Sequence, residues 1–233
     1  MSRESRIARL SHLPLLDPQV SIMPPAQAAV WPTLGDIPDH FVLYGGTGLA
    51  LRLGHRASVD FDFFTAESFV PTDLASDLSW LGQLTINQAS PDNLSITTQD
   101  AVNLSFVGAL GIASVAEPSL VQENGLVIAS TFDLAGTKAK AILDRSEWRD
   151  YVDIATLLRD GVTVPEMIGY ATTIFEPKFA FPGAVFLRSL VWFGDGTAND
   201  VPDDMKRELE RAVAVVGPDD IPIVHPYSVS ISP

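Results

Sequence analysis

Asp60 and Asp62 stand one residue apart in the run SVDFDFF, with Phe61 and Phe63 interleaved. In an extended chain, residues i and i+2 share a face. The two carboxylates therefore point together, and the two phenylalanines point to the opposite side as a core anchor. Adjacent carboxylates repel one another unless a cation lies between them. All-oxygen ligands suit Mg²⁺ or Mn²⁺. Thirteen positions before Asp60 lies Thr47, directly after Gly45 and Gly46 in the run YGGTGLAL. A glycine pair that ends an apolar run and opens a helical one presents backbone N–H groups to an anion, and the helix dipole reinforces this. Thr47 adds a hydroxyl donor. The stretch thus combines a triphosphate cradle with a metal clamp, one at each end of a short helix. Each half also has a plainer reading: a tight turn for the glycines, a half-exposed edge for the Asp-Phe-Asp strand. Their order, spacing and element types favour the joint reading. The dinucleotide fingerprint fits less well: Gly46 and Gly48 are present, but Leu51 stands where its third small residue belongs. No P-loop lysine follows the glycines.

The elements that must position these residues are legible in the hydrophobic pattern. HFVLY (40–44) is a short apolar run and predicts a buried strand, TGLALRLGH (47–55) a helix, and the strictly alternating SVDFDFF (58–64) a second strand. PTDLASDLSWLGQ (71–83) predicts a helix; LTINQA, LSITTQ and VNLSFVGAL predict three further strands, and GLVIAST a last short one. From about residue 131 the periodicity becomes helical, in segments 133–144, 147–160, 164–175, 183–193 and 203–216, before a tail HPYSVSISP. The expected fold class is α/β (α+β), with a lead-in over 1–35, a small mixed-sheet domain over 36–130 and a helical domain over 131–233. The helical domain is expected to close over the cleft of the sheet domain.

Composition narrows the function classes. Of the 233 residues 46% are hydrophobic, enough for a substantial core. No apolar run approaches the ~20 residues that span a bilayer. The N-terminus lacks the apolar stretch of a signal peptide, and a cytoplasmic location is expected. There is no cysteine, which excludes disulfides, thiolate metal sites and cysteine nucleophiles. Fifteen Lys and Arg against 29 Asp and Glu give a formal net charge of −14. Such a balance disfavours a general nucleic-acid binder, which needs basic surface to displace counterions.

The stretch 44–64 resembles the signature of the DNA polymerase β-type nucleotidyltransferase superfamily: a strand, a Gly-Gly or Gly-Ser turn, then two acidic residues alternating with apolar ones. It is more closely similar to the AbiEii/AbiGii toxin nucleotidyltransferases, whose second conserved block corresponds here to TKAKAILDRSEWRDYVDIATLL (137–158). The resemblance implies metal binding by Asp60 and Asp62 and a phosphate loop of Gly45, Gly46 and Thr47. It implies that Lys138 touches nucleotide phosphate, that Asp153 is catalytic or positions the nucleotide, and that Arg56 and Ser58 shape the nucleotide site. Asp150 shares a helix face with Asp153. Without the first block, Lys138, Lys140, Arg145 and Arg149 read as a solvated helix face.

One departure stands out. Many superfamily members carry a third carboxylate on a neighbouring strand, where this sequence offers Asn103 and Ser105. Two readings follow. The first is a nucleotidyltransferase using Mg²⁺ or Mn²⁺ to move an NMP from an NTP to an acceptor hydroxyl on tRNA, protein or a small molecule, as the toxin of a system with a cognate antitoxin and without a membrane partner. The second is a weak or inactive nucleotide-binding module acting through a protein partner. An RNA acceptor requires a local cationic rim, for which Arg52, His55 and Arg56, with Lys138, Lys140, Arg145 and Arg149, are the candidates.

Overall fold

The computed structural model describes residues 3–176, 178–217, 219–231 and 233. The chain divides into two compact units: Met1–Gly111 with Glu117–Ser130 and Ser230–Pro233, and Ile112–Ala116 with Thr131–Val229.

The first unit contains, in chain order, α1 (Arg3–Arg9), β1 (Leu15–Leu16), α2 (Pro25–Val30), β2 (Val42–Tyr44), α3 (Gly45–Leu53), β3 (Asp60–Phe64), α4 (Pro71–Asp77), β4 (Leu84–Ser90), β5 (Asn93–Thr98), β6 (Asn103–Val107), β7 (Ser119–Val121) and β8 (Val127–Ile128). All eight strands join one sheet in the order β1-β7-β8-β2-β3-β6-β5-β4. It is a mixed sheet: β3 runs antiparallel to β2 and parallel to β6, while β5 is antiparallel to β6 and β4. With its helices the chain falls in the mixed α/β class.

The alternation expected from SVDFDFF sorts the residues of β3 onto two faces. Phe61 and Phe63 are fully buried, and the Phe63 ring stacks on Phe106 with centroids 5.1 Å apart. Leu104 and Phe106 of β6 and Leu94 and Ile96 of β5 are also fully buried, in the same core cluster. The other face carries Asp60 and Asp62 on β3, Asn103 and Ser105 on β6, and Ser95 and Thr97 on β5, at matched register.

Several elements differ from the sequence expectation. Residues 1–35 read as a lead-in, yet β1 pairs parallel with β7, and Trp31 and Leu34 sit in the sheet's core. Both β1 and β7 are too short, at two and three residues, to show a period. The helix after the glycines begins at Gly45, two residues early, and the helix expected over 71–83 ends at Asp77, with a 3-10 turn over Ser79–Leu81.

The second unit is helical: α5 (Thr131–Asp144), α6 (Trp148–Arg159), α7 (Val164–Phe175), α8 (Gly183–Leu190) and α9 (Asp203–Ala214). A reciprocal capping box between Thr163 and Glu166 opens α7. Gly136 lets α5 approach α7 closely, since a β-carbon there would lie 2.6 Å from Ile174 and 3.0 Å from the Ala171 backbone. In the segment expected as a tail, Ser228 forms an antiparallel bridge with Ser114.

The core face dictates a stability test. Phe63→Ala removes a fully buried ring and its stacking partner contact, and should cost about 3–5 kcal/mol. Urea denaturation followed by circular dichroism measures this; a loss below ~1 kcal/mol would contradict the packing described.

Candidate active site

The site in the first unit starts where β2 ends. Gly45 has φ +69°, a left-handed backbone in which a β-carbon is disfavoured. A β-carbon there would also overlap Oδ2 of Asp62 and lie 2.9 Å from its Cγ. The cause is register: Tyr44 is the strand partner of Asp62, so the next residue turns over that carboxylate. A β-carbon at Gly46 would lie 2.8 Å from the Arg56 guanidinium and 3.0 Å from the Ser58 hydroxyl. The glycine pair thus lets Asp62 approach the start of α3 at one residue, and Arg56 and Ser58 at the next. The first N–H groups of a helix have no intrahelical partner, which makes this end suited to an anion.

Thr47 has a different task from the one its position suggests. It is buried, and its hydroxyl donates to the backbone carbonyl of Asp60. It ties α3 to β3 and does not turn that proton toward a phosphate.

Asp60 and Asp62 are each held from β6. The Asn103 amide donates to Asp60 Oδ1 at 2.9 Å, and the Ser105 hydroxyl donates to Asp62 Oδ1 at 2.6 Å. Each donor is the direct cross-strand partner of its aspartate. The residues that replace a third carboxylate therefore orient the two that exist. Among the described residues no group of three or more His, Cys, Asp or Glu is placed to share a metal ion. To a cation this face could offer two carboxylates, Asp60 and Asp62. That fits Mg²⁺, which one or two carboxylates commonly hold while water and substrate phosphate complete the shell.

The second unit gathers the charged residues of the second block. Lys138 of α5 places Nζ 2.8 Å from Asp150 Oδ1 and 2.6 Å from Asp153 Oδ2. Arg145 Nε donates to Asp150 Oδ2 at 2.8 Å. Lys138, Asp150 and Asp153 are all buried. The face shared by Asp150 and Asp153 on α6 is thus directed at one ammonium, and Lys138 belongs to no solvated stripe. The resemblance implies a phosphate contact for Lys138; here it is bonded between two carboxylates. Burial pushes the Asp150 carboxyl up, but the charge of Lys138 and the hydrogen bonds from Arg145 and Lys138 outweigh it and hold the group below its ordinary 3.8.

The cations proposed for an RNA-binding rim are largely engaged elsewhere. Arg52 donates to the Ala129 and Ile128 carbonyls at 2.7 and 3.1 Å and to the Ser119 hydroxyl at 3.0 Å, joining α3 to the strands beyond β2. His55 and Arg56 are half-buried. Lys140 pairs with Asp144 and lies 5.5 Å from the Phe179 ring. Arg149 sits over Trp148 at 6.0 Å.

Two further residues lie on the site face. Thr97 donates to Asn103 Oδ1 at 2.7 Å, and Asn87 donates to Thr97 at 2.7 Å. Alternation in LSITT sets Ser95 and Thr97 on one face, but nothing local says which residue of β6 they meet.

A family profile described as nucleotidyl transferase AbiEii toxin, type IV TA system, matches residues 34–100 and 95–221. The chain is 31% identical over 177 residues to an uncharacterized protein of Aquifex aeolicus (strain VF5), a match covering 74% of this chain and 82% of that one. A looser structural similarity, with a TM-score of 0.40 and 14% identity, links it to MenT4, a nucleotidyltransferase toxin of Mycobacterium tuberculosis, over 92% of this chain and 99% of that one. This chain belongs to the AbiEii nucleotidyl transferase toxin family. It is a nucleotidyltransferase of toxin type. Among the described residues no helix is long and apolar enough to cross a membrane.

Two predictions follow from this geometry. Gly45→Ala forces a β-carbon onto the Asp62 carboxylate; it should lower nucleotidyl transfer at least about tenfold, a displacement worth ~1.4 kcal/mol or more. Wild-type rates in this variant would show that Asp62 tolerates the shift. Asp150→Ala leaves buried Lys138 with one carboxylate and should cost about 3 kcal/mol at pH 7. Because Asp150 is held below 3.8 in the fold, its contribution is complete above that value and is lost as pH falls through the folded pKa. The gap between wild type and variant, read by urea denaturation, should therefore narrow below about pH 4; a gap constant down to pH 2 would contradict this.

Proposed function

We propose that this protein transfers a nucleoside monophosphate from an NTP to an acceptor hydroxyl, with Mg²⁺ or Mn²⁺ held by Asp60 and Asp62. The observation that carries the reading is the two carboxylates on one face of β3, with Asp62 seated against Gly45 at the start of α3. A divalent cation bound there supplies charge neutralisation of the phosphates and of the oxygens that enter and leave. The chain's own residues bind and orient. The N–H groups at the start of α3 and the Arg56 guanidinium favour the triphosphate, and Ser58 borders Gly46 beside them. Asn103 and Ser105 keep the carboxylates in register. The family resemblance gives Lys138 a role with the triphosphate and Asp153 one with the acceptor's proton; both are buried and bonded to each other, so those roles require that pair to open. Support for a chemical role there is energetic. Burying Lys138 with Asp150 and Asp153 carries a desolvation cost that apolar residues of like volume avoid, so stability alone does not account for it.

The type IV toxin description of the family supports a cognate antitoxin as partner. It also suits action in the cytoplasm, where nucleoside triphosphates are made. The engagement of Lys140, Arg145 and Arg52 favours an acceptor gripped by few cations, a protein or small-molecule hydroxyl over a long RNA.

The test uses α-³²P-labelled NTPs, Mg²⁺ or Mn²⁺, and separate tRNA and protein acceptor pools. Wild type should transfer label only with the cation. Asp60→Asn and Asp62→Asn should each lower the rate at least about a hundredfold, corresponding to several kcal/mol of lost charge stabilisation. Neither should unfold the protein, since each relieves repulsion between neighbouring carboxylates. Near-normal transfer by the double variant would refute the metal role.

A further inference from the structure

The polar face of the sheet carries a hydrogen-bond chain that crosses four strands and ends on the candidate metal site. Asn87 on β4 donates from Nδ2 to Thr97 Oγ1 on β5 at 2.7 Å; Thr97 donates to Asn103 Oδ1 on β6 at 2.7 Å; Asn103 donates from Nδ2 to Asp60 Oδ1 on β3 at 2.9 Å. The direction of every bond is set from one end. An ionised carboxylate only accepts, so Asn103 must turn its NH₂ group toward Asp60. Its carbonyl oxygen then faces Thr97, whose hydroxyl must donate. The Thr97 lone pair is left to accept from Asn87.

The backbone is shaped to the same end. Pairing of β4 with β5 passes from Ile86↔Ile96 to Gln88↔Ser95, so Asn87 is the extra residue of a bulge, with no residue opposite it. Bulges re-aim side chains and are common beside active sites. Stability does not explain the chain. Asn87 and Asn103 are exposed and Thr97 is half-exposed, where water competes for every bond and the net gain of each is small. Bonds between side chains are also the rarest class in folded proteins, and here three stand in series.

We propose that Thr97 and Asn87 are positioning residues for Asp60: they lock the Asn103 amide with its NH₂ toward the carboxylate and so fix the carboxylate for the cation. This rests on the reading of Asp60 as a cation ligand. Without the Thr97 hydroxyl, the Asn103 amide keeps only its bond to Asp60 Oδ1 and loses the second bond that fixes its plane, so the carboxylate it holds is free to turn with it. The uncharged chain thereby occupies the strand position of the third carboxylate and orients Asp60 without adding a charge.

The test compares Thr97→Val, Thr97→Ser and Asn87→Ala in the full chain. Valine is close in shape to threonine and favours strands, so the sheet is retained. Two quantities are read: the NMR signals of the Asn103 side-chain NH₂, assigned through their loss in Asn103→Ala, and Mn²⁺ affinity by electron paramagnetic resonance with a non-hydrolysable NTP analogue present. Thr97→Val should move the Asn103 NH₂ signals and weaken Mn²⁺ binding about tenfold, as loss of a supporting bond to a metal ligand does. Thr97→Ser should restore both. Asn87→Ala should move the signals in the same direction by less. Unmoved NH₂ signals in Thr97→Val would overturn the chain itself. Moved signals with unchanged Mn²⁺ affinity would overturn its positioning role. A wild-type protein that binds no Mn²⁺ would overturn the metal reading and this proposal with it, an outcome distinct from the other two because it is seen before any variant is made.

Discussion

The contact between Gly45 and Asp62 is the constraint on which the first unit's site depends. The carboxylate occupies space that a β-carbon at residue 45 would fill. That contact requires three things at once: a residue without a side chain, a left-handed backbone to start α3, and a register that sets Tyr44 opposite Asp62. It also brings a helix N-terminus, which favours anions, against a carboxylate, which repels them. The conflict is resolved if a cation sits between phosphate and carboxylate.

The sheet keeps its two tasks on separate faces. Phe61, Phe63, Leu104, Phe106, Leu94 and Ile96 take one side and are fully buried. Asp60, Asp62, Asn103, Ser105, Ser95 and Thr97 take the other. The backbone of β3 therefore cannot shift by one residue without exposing two phenylalanines and burying two carboxylates. Core packing holds the register, and the register holds the two carboxylates on one face. Thr47 adds a local tie, joining the helix that carries the glycines to the strand that carries the aspartates through the Asp60 carbonyl.

The second unit follows a different logic. Three of its charged side chains are gathered inside, with Lys138 shared by Asp150 and Asp153, and the exposed Arg145 covers Asp150. With Arg145 the four groups sum to no net charge, which makes the burial of Lys138, Asp150 and Asp153 tolerable. Buried ion networks of this kind contribute little net stability compared with apolar packing.

The parts of this protein written in local sequence are those with a local physical cause. Alternation over residues 58–64 is enough to put Asp60 and Asp62 on one face, because the two-residue period belongs to any extended chain. The 3.6-residue period likewise marks α5 to α9 and sets Asp150 and Asp153 on one side of α6. The glycine pair announces a turn that carries no side chain. What remained for the tertiary structure were facts about which distant residues meet. β1 and β7 are too short to carry a period and exist only because each has a partner. The pairing of Asp60 with Asn103 across 43 positions, and of Asn103 with Thr97, is a matter of register, which no local pattern encodes. Thr47 reads as a ligand donor in sequence and becomes a tether because the Asp60 carbonyl lies beside it. Lys138 reads as surface on its own helix and is buried because two carboxylates of another helix lie within reach of its ammonium. Period and composition come from a residue's neighbours in the chain, whereas partners and burial come from the packing of elements far apart in it.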